Sequence, residues 1–144
     1  MRNYLKIELT SDSKNAILTQ EWQKVPATKV LVFAEEDGTA PLLKWLDEMP
    51  QKIQDKFIVR IERLAAMGHE LRRPEADLLR DGIHELRVRH RHDNYRMLYF
   101  FCGGDAVVSH GLKKEDAVPE KEIELALRRK QLFEKNREKH TYRE

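Results

Sequence analysis

Between Glu85 and Leu112 the chain carries three strand-forming runs divided by two turns, and nothing else in it constrains the fold as tightly. Glu85–His90 alternates polar and apolar residues, His92-Asp-Asn94 is turn chemistry, and Tyr95–Cys102 is aromatic and apolar. Gly103-Gly-Asp105 supplies the second turn and Ala106–Leu112 the third run. Strands joined by such short turns pair antiparallel, so this segment is expected to be a three-stranded meander.

The flanks decide what covers that sheet. Lys29–Ala34 reads as a short strand, and Glu35-Glu-Asp-Gly38 turns the chain. Thr39 is the expected N-cap, with Pro41 in the first turn. Leu42, Trp45, Leu46 and Met49 fall at i, i+3, i+4 and i+7, an amphipathic helix that Pro50 stops. A second helix follows, with Ile53, Phe57, Ile61, Leu64 and Ala65 on one face and Gly68 at its end, so the two are expected to form a helical hairpin. Residues 69–82 are polar, contain Pro74 and Gly82, and read as a loop with Leu78 and Leu79 tucked in. Pro119 opens a last helix. Its acidic residues (Glu120, Glu122, Glu124) come early and Arg128, Arg129 and Lys130 later, in the order the helix dipole favours. The expected fold is a small α+β domain over residues 29–135: an antiparallel sheet backed by an N-terminal helical hairpin and a C-terminal helix. Residues 1–28 are set apart as an N-terminal extension, with a short strand near Tyr4–Leu9 and a helical turn or two at Ala16–Trp22. Residues 136–144 are expected to be a flexible tail.

Composition narrows the function. Charged residues make up 36% of the chain, against an average of about 25%. Net charge is only +2, so any nucleic-acid binding must come from local clustering. Cys102 is the sole cysteine, which excludes an internal disulfide and a Cys-based zinc cluster and fits a reducing compartment. Its apolar surroundings suggest a buried, inert thiol. No apolar run reaches the ~18 residues that span a bilayer, and the N-terminus has no signal-peptide core, so a cytoplasmic protein with no membrane partner is expected.

The meander also carries the candidate chemistry. Alternation sends Leu86 and Val88 to one face and Glu85, Arg87 and Arg89 to the other; Arg96 shares a face with Leu98 and Phe100. Lys113 and Lys114 close the third run. Gathered on one side, Arg87, Arg89, Arg96, Lys113 and Lys114 would hold a phosphate, for which the forked, always-charged guanidinium is well suited. The bland reading is a solvated strand face on which Glu85 pairs with a neighbour. RNA carries its own nucleophile, the 2′-OH. Cutting it needs cations, a base and an acid, and no metal or cofactor. His84, His90, His92 and Arg91 are candidate substrate contacts, and the histidines suit acid or base work because their ordinary pKa is about 6.5. His110 lies apart, and the histidine spacing matches no metal-ligand pattern.

Three segments in order, Gly82-Ile-His-Glu-Leu-Arg87, Asn94-Tyr-Arg-Met-Leu-Tyr99 and His110-Gly-Leu-Lys-Lys114, are followed by a helix with Ile123, Ala126, Arg128 and Arg129. Over residues 29–133 the chain thereby resembles the phage-derived Gp49-like branch of the RelE/HigB toxins, the toxin half of type II toxin–antitoxin pairs. The resemblance implies a RelE/ParE-like domain and a metal-independent ribonuclease that cuts mRNA on the ribosome, with Arg87, Arg89, Arg96, Lys113 and Lys114 as its catalytic cations. It also implies a cognate antitoxin carrying a helix-turn-helix domain, with DNA bound only through that partner. One departure stands out. Toxins of this kind often place a Tyr or His beyond the basic pair, whereas here Glu115–Glu120 holds neither. The base is left open among Glu120, His84, His90, His92 and a lysine, with Glu120 read first as a helix N-terminal charge. ParE-like relatives, which target gyrase and cut no RNA, are the alternative. A remnant that only binds its partner is the third reading.

Overall fold

The computed structural model describes residues 28–114 and 116–144. The expectations for residues 1–27 lie outside the described residues. A five-stranded mixed sheet and three α-helices make up a small α+β domain.

The chain enters through β1 (Val30–Val32), then runs through α1 (Pro41–Asp47) and α2 (Gln51–Met67). A 3-10 turn (Gly68–Glu70) leads to β2 (Ala76–Arg80), β3 (Ile83–His90), β4 (Asp93–Cys102) and β5 (Asp105–Lys113), and α3 (Glu120–Lys135) closes the domain. The strand order is β1-β5-β4-β3-β2. The meander forms as expected. The sheet around it is not purely antiparallel, because β1 pairs parallel to β5 through Val30↔Ala106 and Val32↔Val108. A parallel pair needs a long crossover, which α1 to β4 supply.

Two further expectations are corrected. The expected loop contains strand β2, and Leu78 is 56% exposed rather than tucked in. The N-cap of α1 is Ala40, not Thr39. The Thr39 hydroxyl turns back to Asp37 Oδ1 at 2.7 Å, which tightens the turn before the helix.

Each face of the sheet has its own core. On one, α1 and α2 place Leu42, Leu46, Ile53, Phe57 and Leu64 against Leu86, Val88, Tyr95, Met97 and Val108. On the other, α3 places Ile123, Ala126 and Phe133 against Ile83, Leu98, Phe100 and Val107. β4 is buried on both faces, which accounts for its unbroken apolar run.

The tail packs back on the domain. Ala34 N–H donates to His140 O at 2.8 Å and Tyr142 N–H to Val32 O at 2.8 Å, and the His140 ring stacks on Phe33. The C-terminus therefore covers the outer edge of β1, which would otherwise offer unpaired backbone groups.

α3 covers only part of its face. Beyond the row Glu85–Leu98–His110, β3 and β4 carry arginines instead of apolar side chains, and the helix does not pack over them.

Candidate functional site

In the β3–β4 ladder Arg87 lies directly opposite Arg96, and Glu85 is one step back on the same face. Two like charges facing each other across a ladder repel. Glu85 resolves the conflict. Its carboxylate, 1% exposed, accepts from Arg87 Nε at 2.9 Å through one oxygen and from Arg96 NH1 at 3.0 Å through the other. Arg87 NH2 also reaches Asp77 Oδ2 at 3.4 Å, and Arg73 grips the same oxygen at 2.7 Å. The Arg73 guanidinium, by its hydrogen bond and charge, holds the Asp77 carboxyl below its ordinary value. Two guanidiniums sharing one carboxylate keep a net positive charge, and both stay accessible: the Arg87 side chain is 35% exposed and that of Arg96 14%.

These groups border an open cleft of about 410 Å³, lined by Arg60, Pro74, Arg87, Val88, Arg89, Asn94, Tyr95 and Arg96. Arg89 follows Arg87 on the same face, exposed and without an ion-pair partner among the described residues. Among the described residues, the cleft lining contains four arginines, no carboxylate and no imidazole. Arginines facing each other across the ladder and held by one buried anion suit a phosphate or a carboxylate, either of which can accept two forked donors.

The structure brings together Arg87, Arg89 and Arg96, and it sends Lys113 elsewhere. Lys113 pairs with Tyr95 in the β4–β5 register, so it points to the α1–α2 face. There its Nζ lies 3.3 Å from Asp93 Oδ2 and 5.9 Å from the centre of the Tyr95 ring. Lys114 sits just past the strand end, exposed, with its N–H bonded to Asn94 O at 2.9 Å. That contact puts its backbone beside the cleft, since Asn94 is one of the lining residues.

The four expected substrate contacts do not line the cleft. His84 faces the opposite side, stacked on Tyr99 at 5.1 Å and edge-on to Phe101. Burial, then the neighbouring His69 and Lys130, lower its pKa. His90 pairs with Asp93 at the end of the ladder. Arg91 and His92 form the whole two-residue turn, with Arg91 at φ 59°. The turn therefore comes before Asp93 and Asn94, which belong to β4, and not at His92–Asn94 as expected. Glu120 is held by Arg80 at 2.6 Å at the start of α3.

Sequence reasoning missed two features. Glu85 does pair with a neighbour, but it is buried and shared by two arginines rather than lying on a solvated face; alternation with Arg87 was the available signal. The second is a buried polar group beneath α3. His110 Nδ1 lies 2.8 Å from Ser109 Oγ, and its Nε2 lies 3.0 Å from Glu122 Oε1. Arg129 NH1 donates to Ser109 O and Oγ, both at 3.3 Å, and its NH2 lies 3.3 Å from Glu35 Oε1. Burial and the Arg129 charge lower the His110 pKa, opposed by Glu122. This group pins α3 to β5 and so fixes where cover ends and the cleft begins.

Among the described residues, no group of three or more His, Cys, Asp or Glu is placed to hold a metal ion, and no helix is long and apolar enough to cross a membrane.

Comparison with known proteins places the chain. No curated protein matches it. The family model described as phage derived protein Gp49-like matches residues 44–131, which take in most of α1, all of α2 and the whole meander, and most of α3. That is more than half of the chain, and it contains every residue of the arginine cleft. The chain therefore belongs to the phage-derived Gp49-like family, a family of RelE/HigB-like toxins.

Proposed function

We propose that this protein is the toxin of a type II toxin–antitoxin pair, and that it cuts ribosome-bound mRNA without a metal. One observation carries the reading: Arg87 and Arg96 are fixed side by side, over a shared carboxylate, on the part of the sheet that α3 leaves open. In the proposed reaction the RNA 2′-OH gives its proton to solvent water and its oxygen attacks the adjacent phosphorus. The bond to the 5′ oxygen breaks, and that oxygen takes up a proton from solvent. The products are a cyclic 2′,3′-phosphate and a 5′-hydroxyl. Arg87 and Arg96 hold the non-bridging oxygens and offset the charge that builds on them; Arg89 and Lys114 steer the flanking backbone. Losing one such donor costs about 10²–10³-fold in rate.

Among the described residues, the cleft lining has no imidazole or carboxylate to move the protons. An isolated cleft of this kind binds and polarises a phosphate but turns over slowly. In this proposal the ribosome supplies the alignment, since a message held there approaches attack geometry before the toxin engages it. The partner is an antitoxin with a helix-turn-helix domain, and DNA is reached only through it.

The test is in vitro translation with purified protein, ribosomes and primer extension on the message. New 5′ ends inside the reading frame, carrying hydroxyls and absent with free RNA, support the proposal. DNA damage on expression, with no new mRNA ends, would instead support a gyrase-directed, ParE-like toxin.

A further inference from the structure

α2 carries Lys52, Lys56, Arg60 and Arg63 at steps of four, four and three, so they form one stripe along the helix. The stripe runs beside β3 where β2 has stopped pairing with it: the β2–β3 ladder begins at Ala76↔Leu86. There the carbonyls of β3 are taken up by α2 itself. Arg60 Nε donates to Arg87 O at 2.8 Å, and Lys56 Nζ donates to Arg89 O at 2.9 Å. The arginine cleft adjoins a second hollow of about 240 Å³, and Arg60, Val88 and Arg89 line both. The surface is therefore continuous from the Arg87–Arg96 pair, round the edge of β3, to α2.

The charges along it do not cancel. Arg60 and Arg63 share the Glu75 carboxylate at 3.0 Å each. Lys52, Lys56, Arg89 and Arg91 have no carboxylate partner among the described residues. Desolvation, then Lys56, Arg91 and Lys52, hold the His90 imidazole below its ordinary pKa, so the cations act together on this corner. Val59 is the one large apolar side chain exposed on α2. A protein interface is built round a buried apolar centre, which this ridge lacks; a polyanion needs only the spaced charges.

We infer that the ridge is a second RNA-contact surface, where the strand leaving the Arg87–Arg96 cleft rounds the edge of β3 and lays its flanking phosphates against Arg89, Lys56 and Lys52. From Lys52 to Arg60 the helix rises about 12 Å, enough to carry the contact past the scissile phosphate. The inference rests on the nuclease reading of the cleft but concerns binding alone.

The test uses the full chain and fluorescently labelled 2′-O-methyl RNA, which has no free 2′-OH and stays uncut. Anisotropy is measured for a tetranucleotide and a dodecanucleotide over a range of salt. The wild type should bind the longer probe more tightly. K52Q/K56Q, with an unchanged melting curve, should bind the dodecanucleotide several-fold more weakly, bind the tetranucleotide normally, and show a log–log salt slope about 1.4 units shallower, at about 0.7 per lost single-strand contact. An unchanged slope and affinity for the longer probe would overturn the ridge assignment and leave the cleft standing. If the wild type binds neither probe, the RNA reading of the cleft fails as well. If K52Q/K56Q instead loses binding to polyglutamate while RNA binding is unaffected, the ridge is a protein-docking surface.

Discussion

Arg87 and Arg96 face each other across the β3–β4 ladder and hold the two oxygens of one buried carboxylate, that of Glu85. The anion does two jobs. It relieves the repulsion between the guanidiniums, and it fixes their directions before any substrate arrives. Electrostatic catalysis depends on that kind of preorganisation.

Removing the anchor separates the two jobs. Glu85→Ala leaves Arg96 without its carboxylate and Arg87 with only the longer contact to Asp77, and should cost about 3 kcal/mol, at the lower end for breaking a buried pair because Arg87 is partly exposed. Glu85→Gln keeps a hydrogen-bond acceptor and should cost less, while raising the local positive charge. Urea denaturation should rank the three proteins wild type, Glu85→Gln, Glu85→Ala in falling stability. Glu85→Gln should bind 2′-O-methyl RNA more tightly than wild type, with a steeper salt dependence.

Gly111 is explained by packing rather than by chemistry. A Cβ there would enter the space of the Trp45 ring, so α1 rests flat on β5 only because the residue is glycine. Gly111→Ala should destabilise the domain by about 1–3 kcal/mol, as overpacking does, and shift the Trp45 fluorescence. Trp45→Leu in the same chain should recover part of the loss; equal stability of Gly111→Ala and wild type would contradict the packing.

Stability should fall between pH 7 and pH 5. The pKa values of His110, His84 and His90 are all lowered in the fold, so the unfolded chain binds more protons in this range. The contribution is complete above the unfolded value of about 6.5 and is lost as pH drops through it toward the lower folded values. Urea midpoints at pH 7.5 and pH 5.5 measure the effect. His110→Asn should flatten the difference, since His110 is the most deeply buried of the three.

The C-terminal segment should be structural. Ending the chain at Lys135 removes the two backbone bonds to Val32 and Ala34 and the His140–Phe33 stack. The loss should be on the order of 2 kcal/mol, with increased self-association through the bared edge. Calorimetry and light scattering on the shortened chain check both.

What could be read from the sequence was what is local. Period-two alternation placed Arg87 and Arg89 on one face, the expected hairpin closure brought Arg96 to them, and 3.6-residue spacing marked α1, α2 and α3. What could not be read was set by distant partners. β2 is a five-residue edge strand in a charge-rich stretch after a proline, and only its pairing with β3 reveals it. The tail is rich in charge yet docks because Phe33 offers a ring to His140. The misplacement of Lys113 has a single cause. The β4–β5 register shifts between Leu98 and Tyr99: Val108 faces Tyr99, but His110 faces Leu98, leaving Ser109 as an extra residue. A bulge reverses the alternation beyond it, so Lys113 turns from the arginine face to Tyr95.

The central claim is that the arginine pair holds the scissile phosphate, and the most direct measurement is single-turnover cleavage of ribosome-bound message. Replacing the arginines alone would strand Glu85 as a buried unpaired charge, so the variant to use is Glu85→Gln/Arg87→Gln/Arg96→Gln, which removes all three charges and keeps groups that can hydrogen-bond. With its melting curve confirmed, the account predicts a fall of about 10³-fold or more in cleavage rate. Cleavage at the wild-type rate by this folded variant would contradict it.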